Sequence, residues 1–467
     1  MMKLSFRIIF FILLSFDTVS SQSIYNAYAN VTNISGSTFT VNNVNEVNHT
    51  FVNGEKVIVM QMQDDVIGTN TTNASSFGNL GSMKSVGLWE VQTVSSQTRV
   101  AGVLQNISFT GALINTYTTG PNASLQIITF HKLSAAAFTS TNSITGLAWN
   151  GNVGGVVAIE IGTIFTLNHN ISGNALGYRG GAVSANYYGG GTTCTLIDYA
   201  TSSTQCGFKG EGIYKITNAN FVNGIAKALN GGGGGGQDIN GAGGGGGNWS
   251  AGGNGGVGWN STAAGCPTAT SPGGQGGISL SAIIPFNRIF MGGGGGGGQQ
   301  NNSVSTPGGN GGGIIIIKSG TLSTSGVCGT PITISANGAS AATAGNDGAG
   351  GGGAAGSIVL QVNSYSVVAA CGLSITANGG NGGSISDPGT HSGGGAGAQG
   401  IIVFSGAQPT TNVTASTSNG NPGCSNNSVP CNSFAGSASG PPNSGILPSI
   451  NGNLPIELLN FNAKKNR

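Results

Sequence analysis

Charge is what this chain has least of. Its 467 residues carry 15 basic and 13 acidic side chains, 6% of the chain, against roughly 25% in ordinary soluble proteins. A net charge of +2 offers no basic field to nucleic acid or anionic lipid, so neither is an expected partner. Proline is sparse at 14 residues, and glycine follows no strict Gly-X-Y period, which excludes a collagen triple helix. No apolar run reaches the ~20 residues of a membrane-spanning helix, so no transmembrane span is expected. Amphipathic segments of helical period are missing as well. The common hydrolase and phosphate-loop signatures are absent: there is no H-E-x-x-H, no G-x-S-x-G and no Gly-Lys pair.

Glycine and β-branched residues take the place of what is missing. Glycine fills 88 positions and hydrophobic residues 38%, the reverse of the charged, apolar-poor signature of disorder. The first 21 residues read as a secretory signal peptide: Lys3 and Arg7, an apolar run over 8–16, then Val19-Ser20-Ser21 as a small-residue cleavage site. All seven cysteines lie downstream, which suits an oxidising compartment, although the odd count leaves at least one unpaired.

Four further segments follow from texture. Residues 24–132, with Phe39-Thr40-Val41, Val57-Ile58-Val59-Met60-Gln61-Met62 and Leu125-Gln126-Ile127-Ile128-Thr129-Phe130, read as a small β-barrel or sandwich. Residues 138–406 alternate short apolar runs with glycine tracts at 231–236, 243–247 and 292–298. Residues 407–453, rich in Pro, Ser and Asn, read as a linker, and 454–467 as the start of a further module.

The glycine-rich region repeats. Gly313-Ile314-Ile315-Ile316-Ile317, Gly356-Ser357-Ile358-Val359-Leu360 and Gly400-Ile401-Ile402-Val403-Phe404 answer one another, as do Ile332-Thr333-Ile334-Ser335-Ala336-Asn337-Gly338 and Leu373-Ser374-Ile375-Thr376-Ala377-Asn378-Gly379. An earlier copy starts at Gly154-Gly155-Val156. Such a repeat cannot bury both strand faces alone and must stack on its neighbours. The expected fold is therefore all-β, a parallel β-helix-like solenoid with Asn337 and Asn378 at equivalent turns. Its glycine arms are either flexible linkers or ordered polyglycine II-like strands, laterally bonded and templated by the solenoid. Stacking at about 4.8 Å would place Cys328 and Cys371 within disulfide reach. Cys194 with Cys206, and Cys424 with Cys431, would close short loops and leave Cys266 free.

Trp149-Asn150-Gly151, Tyr178-Arg179-Gly180-Gly181, Lys209-Gly210-Glu211-Gly212-Ile213, Arg288-Ile289-Phe290-Met291 and Asn53-Gly54-Glu55-Lys56-Val57 together resemble secreted glycine-rich surface proteins of Bacteroidetes and gliding bacteria. Leu454-Pro455-Ile456-Glu457-Leu458-Leu459 is similar to the opening of the C-terminal module that precedes a type IX secretion sorting signal. The resemblance implies a secreted or outer cell-surface location, links to gliding or adhesion, and secretion machinery as a partner. That module would continue beyond Arg467, so the chain reads as truncated there.

Candidate chemistry is thin. Lys209 and Glu211 stand out as charges in an uncharged stretch, either a local turn salt bridge or ligand contacts. Trp249 and Trp259 in glycine arms are either sugar-stacking platforms or packing caps. Glu160, Asp198, Glu211, Asp238, Asp347 and Asp387 form no close acidic pair in the sequence, and His49, His131, His169 and His391 show no ligand spacing. No catalytic residue, cofactor or metal is expected. The function read from the chain is a non-catalytic structural or adhesive protein making multivalent contacts with extracellular glycans, matrix or surfaces. The competing reading is a β-helix polysaccharide lyase or hydrolase.

Overall fold

The structure, a computed structural model, describes residues 22–64, 70–81, 83–187, 198–236, 240–258, 273–284, 287–386, 391–425 and 435–449. It is all-β, as expected, with one three-residue 3-10 turn (Ala219–Phe221) among the described residues. No helix among them is long and apolar enough to cross a membrane.

After β1 (Gln22–Ile24), the strands β2 (Tyr28–Ser35), β3 (Thr38–Asn45), β4 (Lys56–Gln63), β5 (Trp89–Val100), β6 (Val103–Phe109) and β7 (Ser124–Thr129) close an antiparallel barrel in the order β2-β3-β6-β5-β4-β7. Strand alternation sorts its residues. Val57 and Val59 pack inside with Phe39, Ile107 and Ile127, whereas Ile58, Met60 and Met62 are buried on the outside against Val156, Ala158, Ile314 and Ile316. Burial on both faces is why β4 reads as a continuous apolar run.

The outer partner is one of two parallel sheets. The strands are β8 (Lys132–Ser134), β9 (Phe138–Thr139), β10 (Ser143–Thr145), β11 (Val156–Ile161), β12 (Ile164–Leu167), β13 (Ile171–Ser172), β14 (Ile314–Thr324), β15 (Ile332–Ser335), β16 (Ser357–Ser366), β17 (Leu373–Thr376), β18 (Ile401–Phe404), β19 (Val413–Ser416) and β20 (Ile446–Leu447). One sheet runs β1-β10-β13-β15-β17-β19, the other β8-β11-β14-β16-β18-β20 with β9 and β12 alongside. The repeat sets the register. Val157, Ile315, Ile358 and Ile402 are successive partners, as are Ile171, Ile334, Ile375 and Ala415. These two rows face each other in one apolar core.

Turns and staples obey the same register. Asn174 Oδ1 accepts from Asn337 N at 2.8 Å, Asn337 Oδ1 from Asn378 N at 2.8 Å, and Asn378 Oδ1 from Ser418 N at 2.9 Å. Cys328 and Cys371 form a disulfide with Cα atoms 4.7 Å apart. In the stretch read as a linker, β19 extends one sheet and β20 the other. Val413 stacks on Leu373 there, and that burial outweighs the turn-forming composition around it.

The glycine tracts are buried, and their backbone bonding has a period of three. Along the tract 292–299, Gly292, Gly295 and Gly298 donate to Gly312, Gly309 and Thr306; Gly293, Gly296 and Gln299 donate to Gly247, Gly244 and Gly241; Gly294 and Gly297 donate to Glu211 and Phe208. Its carbonyls accept with the same period, from Tyr178, Gly181 and Ser184, from Gly232 and Gly235, and from Ala354, Gly351 and Gly348. One tract thus has six neighbours, and its backbone polar groups are satisfied without a strand ladder. A Cβ at Gly296 would fall on the Gly233 carbonyl oxygen, so only glycine permits this spacing.

Candidate functional site

The register that stacks isoleucines also stacks charge. Glu160 of β11 pairs with Lys132 of β8 and Lys318 of β14, and Lys318 pairs with Gln361 of β16. These residues continue the face occupied two residues earlier by Ala158, Ile316 and Val359, which lie in the core shared with the barrel. Polar side chains take over, and Lys56 enters from the start of β4. Its Nζ lies 3.3 Å from the Glu160 carboxylate, with Lys318 at 3.7 Å and Lys132 at 3.8 Å, while the Glu160 side chain is only 6% exposed. The cavity holds about 550 Å³ and is also lined by Ser319 and Asn363. Gln361 Oε1 is buried with no hydrogen-bond partner. Among the described residues, three ammonium groups stand around this one carboxylate. The pocket's lysines suit an acidic group.

A second cavity of about 240 Å³ contains Lys209 and Glu211, with Gln63, Arg179, Tyr214 and Lys215. The local turn salt bridge expected between Lys209 and Glu211 does not form. Glu211 instead takes Arg179, whose Nε lies 2.9 Å from Oε2 and whose second guanidinium nitrogen contacts Oε1. Lys209 turns inward, donating to the carbonyls of Tyr199 at 2.6 Å, Gly224 at 3.0 Å and Ala226 at 2.5 Å. This segment bonds with a period of three, Gly207 and Gly210 donating to Gly235 and Gly232 while Phe208 and Glu211 donate to Ala182 and Arg179, so residues two apart point in different directions and meet different partners. Burial holds the Lys209 pKa well below the usual lysine range.

Lys209→Met should cost about 1–3 kcal/mol in chemical denaturation, because it takes the ammonium donor from the Ala226 carbonyl and one of two donors from the Tyr199 and Gly224 carbonyls, which also accept from Ala226 N and Gly234 N. The pH dependence has a definite sign. With the folded pKa depressed, the unfolded chain binds more protons, so the wild-type advantage should grow as pH rises toward the unfolded lysine value of about 10.4.

Trp249 is half-buried against the core, and its Nε1 donates to Ser444 Oγ at 3.0 Å. Trp259, Cys194, Cys266, Cys431, Asp238 and Asp387 lie outside the described residues. Cys206 is buried. Cys424 is disulfide-bonded, although its expected partner Cys431 is not described. Asp347 is buried, and its carboxylate accepts from the amides of Asn301, Asn302 and Val304.

Sequence reasoning missed Lys56, Lys132, Lys318, Gln361 and Arg179. Part of the signal was present: Glu160, Lys318 and Gln361 each stand five residues after the repeat glycines Gly155, Gly313 and Gly356. The histidines also depart from expectation. His49 and His131 meet over Glu55. No protein family, curated protein or solved structure matches the chain.

Proposed function

We propose that the chain is a β-helix-like solenoid with polyglycine II-like arms, acting as a non-catalytic structural or adhesive protein of the secreted or cell-surface class. The observation that carries this reading is a grid of hydroxyls. Thr333, Ser374 and Thr414 are register partners, and Thr376 and Ser416 continue the next row from the buried Ser335, alternating with the inward-facing Ile334 and Ile375. Strand geometry sets such a grid at about 4.8 Å by 6.6 Å. Repeated weak hydrogen-bonding groups on a stiff support favour multivalent contact with glycans, matrix or surfaces over a single tight site.

Other features support the same reading. The glycine body stiffens the support, the Cys328–Cys371 bond suits an oxidising compartment, and the lysine-ringed pocket offers a place for an acidic sugar. Among the described residues, Glu160 and Glu211 face cations and no second carboxylate, whereas glycoside hydrolysis ordinarily uses a carboxylate pair. Delivery by a type IX route rests on the resemblance of residues 454–459 alone.

Purified full-length protein should be retained on surfaces coated with acidic or neutral polysaccharide. The triple substitution Thr333→Ala, Ser374→Ala and Thr414→Ala should weaken retention at least about tenfold without changing secondary structure. No product should be released. Failure to bind any coated surface would overturn the adhesive reading, and turnover abolished by Glu160→Ala or Glu211→Ala would replace it with a lyase or hydrolase.

A further inference from the structure

Three side chains that the adhesive reading does not use converge at the end of the barrel. His49 lies in the connection from β3 to β4, Glu55 immediately precedes β4, and His131 stands between β7 and β8. Glu55 Oε2 lies 3.1 Å from His49 Nε2 and its Oε1 lies 3.1 Å from His131 Nδ1. The two imidazole centroids are 4.4 Å apart with the rings tilted by 37°. One donor atom from each residue lies within 4.8 Å of the other two. Side-chain exposures of 20%, 28% and 30% leave the cluster open to solvent on one side.

This spacing is close to what a metal requires. Ligands about 2.0–2.2 Å from a tetrahedral ion stand about 3.3–3.6 Å from one another, so with every donor pair within 4.8 Å closure needs an approach of about 1.5 Å at most, within the reach of side-chain rotation. The donor set also selects the ion. Two imidazole nitrogens and one carboxylate suit Zn²⁺ and its first-row neighbours, whereas Ca²⁺ and Mg²⁺ prefer oxygen ligands throughout. The scaffold around the cluster is held independently. Glu46 pairs with Arg99 at 2.6 Å and accepts from Phe51 N at 2.8 Å, bracketing His49. The His131 carbonyl accepts from Glu160 N at 3.3 Å, which fixes the third ligand's backbone to the parallel sheet.

We infer that His49, Glu55 and His131 bind one divalent first-row transition ion of the Zn²⁺ class, leaving a fourth position open to water or an external ligand. The ion clamps the β3–β4 connection to the junction where the barrel meets the parallel sheet. The site is independent of the hydroxyl grid, so it stands or falls apart from adhesion.

Untagged full-length protein is dialysed against ZnCl2 and bound metal is counted, with Co²⁺ as a spectroscopic probe. One equivalent should bind with Kd below about 100 µM, and Zn²⁺ should raise the Tm. His49→Ala, His131→Ala and Glu55→Gln should each weaken binding at least about tenfold and abolish the Tm shift, while His169→Ala should change neither. A variant that does not fold is replaced by His49→Asn or His131→Asn. Absence of a stoichiometric ion, retention of full affinity in the folded variants, or a thiolate-to-Co²⁺ charge-transfer band would overturn the assignment.

Discussion

Replacing Gly296 by alanine should destabilise the protein by about 3–5 kcal/mol, far beyond the usual cost of one methyl group. The added Cβ has nowhere to go except the space of the Gly233 carbonyl oxygen. That oxygen accepts from Gly244 N at 2.8 Å, Gly296 donates to Gly244 O at 2.8 Å, and Gly351 donates to Gly296 O at 2.9 Å. Separating the tracts therefore strains several buried bonds together. Gly406→Ala is the control. It has nothing within 4 Å of the added carbon and no positive φ, so its effect should stay within about 0.5 kcal/mol. Denaturant titration measures both, and hydrogen exchange places the damage: amides of 231–236, 243–247 and 292–298 should exchange slowly in the wild type and fast in Gly296→Ala. Exchange at intrinsic rates in the wild type would return the tracts to flexible linkers.

The second large effect is covalent. The Cys328–Cys371 bond spans a sequence separation of 43, and the chain-entropy relation assigns a loop of that length about 4 kcal/mol. The double substitution Cys328→Ser and Cys371→Ser should remove about 3–4 kcal/mol under non-reducing conditions. Reducing the wild type should cost at least as much, because Cys424 is disulfide-bonded as well. Peptide mapping without reductant should recover the two cysteines in one cross-linked peptide. Recovery in separate bonds would break the register that joins Ile332 to Leu373 and Ile334 to Ile375.

That register was legible before any coordinates. Periodic Ile, Val and Leu after glycine tracts carry their own alignment, because a parallel stack rewards identical residues at identical heights. The asparagine turns and the disulfide followed from the same offset. The barrel was legible only as a compact β unit, since strand order and closure depend on pairings between segments as distant as Tyr28 and Ile128. Glu211 shows the opposite case: its nearest charged neighbour in sequence turned away into three carbonyls, and its partner, Arg179, came from another glycine segment.

By itself the sequence determined the all-β class, the stacking period, the apolar ladders and the Cys328–Cys371 staple, because these are local patterns copied at a fixed interval. Only the tertiary structure decided which glycine tracts lie beside which, because glycine carries no side chain to encode a partner and its hydrogen bonds are identical along every tract. It alone brought His131 to Glu55 and Lys56 to Glu160, contacts spanning 76 and 104 residues. Those meetings depend on how a closed barrel docks on a parallel sheet, and no sequence period records that.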